Sequence, residues 1–267
     1  MKLKRHESKF YELKDTSIGI RMMVLFALCI FILNAIVASK LDASINVSLG
    51  SSSEMKAEKV NDVTNESYKL ISVPYISQAG GYPTGCEIVS AVMLLQYYDC
   101  NISVDEFIDN YLESSFLEEI DGKLYGPNPN EAFVGDPRSI YSYGCYAPVI
   151  VKSLIKVLGT EYLVENTTGS ELNELIENYI DKEIPVLIWA SIELSPTYLG
   201  TQWYIEESGE SFQWISNEHC MVLVGYDKDK YYFNDPYEDN GVVGYDKELV
   251  EERFNELGKQ SVVILHK

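Results

Sequence analysis

The chain has 267 residues, 46% of them apolar and 12% aromatic. That composition suits one folded domain with a sizeable core and excludes a wholly disordered or fibrous chain. Its formal net charge of −20 argues against nucleic acid as a partner, because a phosphate backbone would be repelled.

Residues 1–17 form a basic head carrying Lys2, Lys4, Arg5, Lys9 and Lys14. Residues 18–38 are apolar except for Arg21 and Asn34, a length near the lower limit for crossing a bilayer and also sufficient for a signal-peptide core. Basic residues ahead of such a segment predict a cytoplasmic N-terminus with everything after it outside. The segment is therefore expected to be a single-pass membrane anchor, or a signal peptide whose cleavage after Ala38 would leave the rest secreted. Residues 39–67 are rich in Ser, Asn, Glu, Lys and Asp, which predicts a flexible stalk. The folded domain is expected over 68–267.

Within it, residues 69–76 alternate and contain Pro74, which predicts a short edge strand. A turn with Gly80, Gly81 and Pro83 follows, and from Thr84 the apolar residues Ile88, Val89, Val92, Met93 and Leu95 recur at helical spacing. Thr84 with Glu87 three positions on reads as a capping box, which puts Cys86 at the second helical position. Free backbone N–H groups and the positive end of the helix dipole favour a thiolate there, so Cys86 is a candidate nucleophile. Ser103 and Glu106 form a second such pair, predicting a helix through Leu112.

Between 116 and 148 the pattern dissolves into Gly, Pro, Asn and Tyr, which predicts a long irregular loop of the kind that binds ligands. Helices are expected over 147–158 and 170–180. The second half turns to strands, over 184–190 and 220–226, with 230–234 returning as a hairpin after the turn at 227–230. A helix over 248–257 and a strand over 261–265 close the domain. Helices first and an antiparallel sheet later make an α+β fold.

Of the three histidines, His6 lies in the basic head and His266 in the last strand, so His219, at the threshold of the strand over 220–226, is the well-placed one. A cysteine nucleophile needs a base that also protonates the leaving group, which an imidazole can do. That base wants a carboxylate or amide to hold its tautomer. The hairpin brings Asp235 beside His219, with Asn234 as the rival on the opposite face of the strand. Among the other cysteines, Cys29 lies in the apolar segment, Cys220 follows the histidine, and Cys100 and Cys145 pair only if the fold brings them together. None has zinc-ligand spacing, and neither a metal nor a cofactor is expected.

The segments Val73-Pro-Tyr-Ile-Ser-Gln, Tyr82-Pro-Thr-Gly-Cys-Glu, Pro185-Val-Leu-Ile-Trp, Glu218-His-Cys-Met-Val-Leu-Val-Gly-Tyr-Asp and Tyr232-Phe-Asn-Asp-Pro resemble the papain-like cysteine peptidase superfamily, in its double-glycine leader peptidase-like branch. The resemblance covers about residues 70 to 265. It implies a papain-like fold with Cys86 as nucleophile, His219 as base and Asp235 as its orienter. It also implies that Gln78 helps bind the oxyanion, with Gly80 and Gly81 letting the intervening loop fold back.

The expected activity is that of an extracellular cysteine hydrolase acting on a peptide or protein, a cell-wall-associated one included, at a Gram-positive surface. Aromatic residues of the loop, Tyr125, Tyr141, Tyr143 and Tyr146, together with Trp203 and Trp214, are expected to line the substrate cleft. A binding module without catalysis on the same fold, and an acyl or amide transferase in which an amine replaces water, are the alternatives.

Overall fold

A computed structural model describes residues 68–267. The head at 1–17, the apolar segment at 18–38 and the stalk at 39–67 lie outside the described residues. Among the described residues no helix is long and apolar enough to cross a membrane.

The chain enters as strand β1 (Lys69–Leu70) and turns into helices α1 (Cys86–Tyr97) and α2 (Val104–Tyr111). Short strands β2 (Ser114–Ser115), β3 (Glu118–Ile120), β4 (Lys123–Gly126) and β5 (Phe133–Val134) follow, then α3 (Ala147–Leu158), β6 (Tyr162–Asn166) and α4 (Leu172–Asn178). The second half holds β7 (Val186–Ser191), β8 (Tyr198–Ile205), β9 (Ser211–Ser216), β10 (Glu218–Tyr226), β11 (Lys230–Asp235), β12 (Gly241–Asp246), α5 (Lys247–Glu256) and β13 (Ser261–His266). The architecture is α+β, with helices mainly in the first half and antiparallel strands in the second.

The main sheet runs β12-β11-β10-β7-β13-β6, and every pairing along it is antiparallel. Its centre is apolar because β7 is buried throughout and β10 is buried from Glu218 to Val224. Helix α1 is wrapped on all sides, with every residue from Cys86 to Leu95 buried, as expected of a helix apolar all round. It packs on β10 and β7, while α3 packs on β6 and β13. The Ser90 hydroxyl donates to the carbonyl of Cys220 at 3.0 Å and pegs α1 to β10. The hydroxyl of Ser103 accepts the N–H of Glu106 at 3.0 Å and starts α2.

The expected edge strand over 69–76 pairs as a strand only at Lys69 and Leu70, opposite Tyr226 and Gly225. The bare backbone of Gly225 makes that approach possible, since a Cβ there would sit 2.1 Å from the carbonyl oxygen of Lys69. Beyond it Pro74 has no N–H to donate to a ladder. The stretch from 116 to 148 is not structureless, contrary to expectation. Strands β3 and β4 join β8 and β9 in a second sheet of order β3-β4-β8-β9, where β4 runs parallel to β8, and β2 pairs with β5. Strands of two to four residues separated by Pro, Gly and Asn carry too little alternation to show in sequence.

Candidate active site

Helix α1 starts one residue later than the expected capping box implies. Its N-cap is Gly85, so Cys86 is the first helical residue. The hydroxyl of Thr84 donates instead to the carbonyl of Ser139 at 3.0 Å, tying the approach loop to the segment before Tyr141. Glu87 does not cap the helix either. It is fully buried, and its Oε1 accepts the N–H of Cys145 at 2.6 Å from the segment leading into α3. A tertiary donor has displaced the local one.

Strand β10 presents His219 beside β11, whose register places Asn234 opposite Val222 and brings Asp235 to the end of the strand. The Nε2 of His219 bonds Asp235 Oδ1 at 2.7 Å, with both side chains buried. Asp235 also accepts the N–H of Tyr237 at 3.0 Å and, through Oδ2, the Tyr245 hydroxyl at 2.7 Å. Burial works to raise its pKa, but these donors and the imidazole outweigh it and hold the carboxyl below its ordinary value. An ionised Asp235 makes Nε2 the protonated ring nitrogen and leaves Nδ1 as the acceptor. Asn234 turns the other way and donates to the carbonyls of Val73 and Pro74 at 3.0 and 3.2 Å. Tyr245, on β12, is a partner that sequence reasoning missed; the continuation of the sheet past β11 was the signal.

Cys86 and His219 line one cleft of about 240 Å³, together with Gln78 and Glu218. Gln78 sits in a single turn of 3-10 helix, its own N–H bonded to the carbonyl of Pro236 at 2.9 Å. The N–H of Tyr82 returns to the Gln78 carbonyl at 2.9 Å, so the loop does fold back. The Gln78 Nε2 reaches the carbonyl of Pro83 at 3.3 Å, and its Oε1 is buried without a partner among the described residues.

The expectation of a stabilised thiolate is overturned by what surrounds the sulfur. Burial, then the charges of Glu87 and Glu218, push the Cys86 thiol well above its ordinary value. The Cys86 thiol donates to Glu87 Oε2 at 3.3 Å. Burial raises Glu87 to about 7, and burial with the Glu87 charge raises Glu218 well above its ordinary value. Sequence reasoning gave Glu87 a capping role and Glu218 none, because a Glu at a helix start and a Glu at a strand start read as local or solvent-facing.

The aromatic residues divide. Tyr143 and Trp214 line the cleft. Tyr146 is buried and stacks on Trp214 with ring centroids 5.4 Å apart, and Trp203, 1% exposed, stacks on it at 6.3 Å and donates to the carbonyl of Pro127 at 3.0 Å. These two back the wall rather than face the cleft. Tyr125 packs against Tyr204, and Tyr141, 86% exposed, lines a neighbouring hollow of about 290 Å³. Tyr198 and Ile192, which the sequence did not single out, join the cleft. Cys86, Cys100, Cys145 and Cys220 are all free thiols.

This geometry can be set beside known proteins. No curated protein matches the chain. A crystal structure assigned as a C39-like peptidase from Bacillus anthracis is similar at 27% identity and a TM-score of 0.65, over 74% of this chain and 98% of that one. The peptidase domain of Streptococcus ComA, a bi-functional ABC transporter involved in quorum sensing, aligns at 14% identity and a TM-score of 0.42, over 75% of this chain and 100% of that one. A double-glycine motif protease from an AMS/PCAT transporter, in complex with its leader peptide, aligns at 16% identity and a TM-score of 0.42, over 77% and 97%. A profile of the Peptidase_C39 like family matches residues 70–262, and the chain belongs to that family of cysteine peptidases.

Proposed function

We propose that the protein is a cysteine peptidase that cleaves peptide bonds through Cys86, His219 and Asp235, carried outside the cell on a membrane anchor or secreted. The observation that carries this reading is the cleft shared by Cys86 and His219, with the imidazole held through Nε2 by Asp235 so that Nδ1 is left for the thiol. In the reaction Nδ1 takes the thiol proton as sulfur attacks the carbonyl carbon, and the C–O π electrons move to oxygen. The Cys86 N–H at the helix start and an N–H of the Gln78 amide stabilise that oxyanion, each such donor worth a few kcal/mol. On collapse the imidazolium gives its proton to the departing amine. His219 then deprotonates a water that attacks the thioester, and the carboxylic acid leaves as the thiol is restored.

Tyr143, Tyr198 and Trp214 give the cleft aromatic walls suited to an extended peptide, including one attached to a cell wall. The extracellular placement rests on the basic residues ahead of the apolar segment at 18–38. The test is digestion of a peptide library by wild type, Cys86→Ala and His219→Ala, read by mass spectrometry. Cleavage by wild type alone supports the peptidase. Equal cleavage by Cys86→Ala, or none by any of the three, overturns it. Protease accessibility of the domain on intact cells tests the placement.

A further inference from the structure

The site holds two ionisable groups that the proposed reaction does not use. Glu87, from α1, and Glu218, from β10, are both buried beside the nucleophile. A sulfur of Cys86 and one oxygen from each carboxyl lie within 4.8 Å of one another. Gly144 closes the group, since a Cβ there would meet Glu87 Oε1 at 2.4 Å and Glu218 Oε2 at 3.2 Å.

Two carboxylates this close in a buried site cannot both be ionised, so they retain a proton between them. The hydrogen bonds say where the charge sits. Glu87 accepts from the Cys145 N–H and from the Cys86 thiol, the pattern of an ionised carboxylate, whereas Glu218 Oε1 is buried with no partner among the described residues. The titratable groups around the pair are Cys86 on α1, Cys145 and Tyr146 on the segment entering α3, and Cys220 on β10. Each of these is an acid that is neutral when protonated. His219, the next residue along β10, is bonded to Asp235. Among the described residues no cation is a principal influence on either carboxyl.

We infer that Glu87 and Glu218 hold one proton between them and act as positioning residues, keeping the Cys86 thiol protonated and hydrogen-bonded to Glu87 in the resting enzyme. The inference deepens the proposed function and rests on Cys86 being its nucleophile. The thiol proton goes to His219 only as sulfur attacks, and the carboxyl pair keeps its single proton throughout. The resting thiol is thereby shielded from alkylation and oxidation, while the cleft stays open to a substrate.

The test needs no substrate. The full-length protein is treated with iodoacetamide across pH, and modification of each cysteine is followed by mass spectrometry in wild type, Glu87→Gln, Glu218→Gln and Glu218→Asp. Cys100, whose surroundings are burial and Glu106, serves as an internal reference. Glu87→Gln, which removes the charged acceptor of the thiol, is expected to lower the midpoint for Cys86 by at least about one pH unit, or about tenfold faster labelling at neutral pH. Cys100 stays unchanged, and Glu218→Gln and Glu218→Asp, which leave the single charge on Glu87, stay near wild type. A purely structural role would lower thermal stability without moving the Cys86 midpoint relative to Cys100. A wild-type midpoint in Glu87→Gln, or a lowered one in Glu218→Gln, overturns the inference; if Glu87→Gln does not fold, a wild-type Cys86 midpoint at or below that of Cys100 overturns it. His219→Ala and the peptide digestion report separately on the proposed function, so either idea can fail while the other stands.

Discussion

Replacing Asp235 by Asn tests the link between the hairpin and the chemistry. The carboxylate accepts from His219 Nε2 at 2.7 Å, the Tyr245 hydroxyl at 2.7 Å and the Tyr237 N–H at 3.0 Å, all within the buried end of β11. Hydrogen bonds to an ionised group contribute about 1.5–3 kcal/mol against about 1 for neutral pairs, so losing the charge should cost roughly 2–4 kcal/mol. For a folded region of this size that corresponds to a drop in Tm of about 5–15 °C at pH 7. The folded-state pKa of Asp235 is depressed, so its contribution is present above the unfolded value and is lost as pH falls through the folded one. The gap between wild type and Asp235→Asn should therefore be full at neutral pH and close below about pH 4. Peptide cleavage should fall by about 10²–10⁴, because the amide no longer enforces the tautomer that presents Nδ1. Thermal unfolding followed by circular dichroism between pH 3 and 8 checks the stability. A Tm within about 1 °C of wild type at pH 7, or a gap that does not change with pH, would refute the reasoning.

The Glu87 carboxyl predicts the opposite slope. Its pKa is raised from 4.5 to about 7 in the folded protein, so its contribution is fully present below the unfolded value and is lost as pH rises through the folded one, on the order of 3 kcal/mol. Tm should fall between pH 5 and 8 in wild type, and fall less in Glu87→Gln; equal slopes in calorimetry would contradict this. Gly144→Ala should destabilise by about 1–3 kcal/mol and disturb the thiol, because the added Cβ would stand 2.4 Å from Glu87 Oε1; denaturant unfolding at unchanged m-value measures it. Trp214→Ala removes a cleft wall that Tyr146 supports by stacking, and should raise KM for a peptide about tenfold with kcat changed less. An unchanged KM would remove Trp214 from substrate binding.

Much of the fold is legible from local pattern. The helix expected over 147–158 coincides with α3, because Gly159 stops an apolar-periodic run opened by Pro148. The hairpin of β10 and β11 follows from β-branched and aromatic residues on either side of the turn at 227–230, and with it the meeting of His219 and Asp235. The strands β8 and β9 are not legible, since polar residues interrupt both, and a register shift lies between Leu199 and Gln202. Trp203 and Trp214 stand out as aromatic residues, but that Trp214 faces the cleft while Trp203 backs it follows only from the pairing of these strands.

The sequence by itself determined the features that near neighbours in the chain control: a cysteine at a helix start, a histidine and an aspartate facing across a hairpin, and an α+β order of elements. Tertiary structure alone decided the state of the thiol. Glu87 and Glu218 stand 131 positions apart in the chain, and only the packing of α1 against β10 brings them together beside Cys86. Burial then reverses the local rule. A helix N-terminus favours a thiolate by the few free N–H groups it offers, but a desolvated site with a carboxylate already in it penalises a second negative charge more heavily.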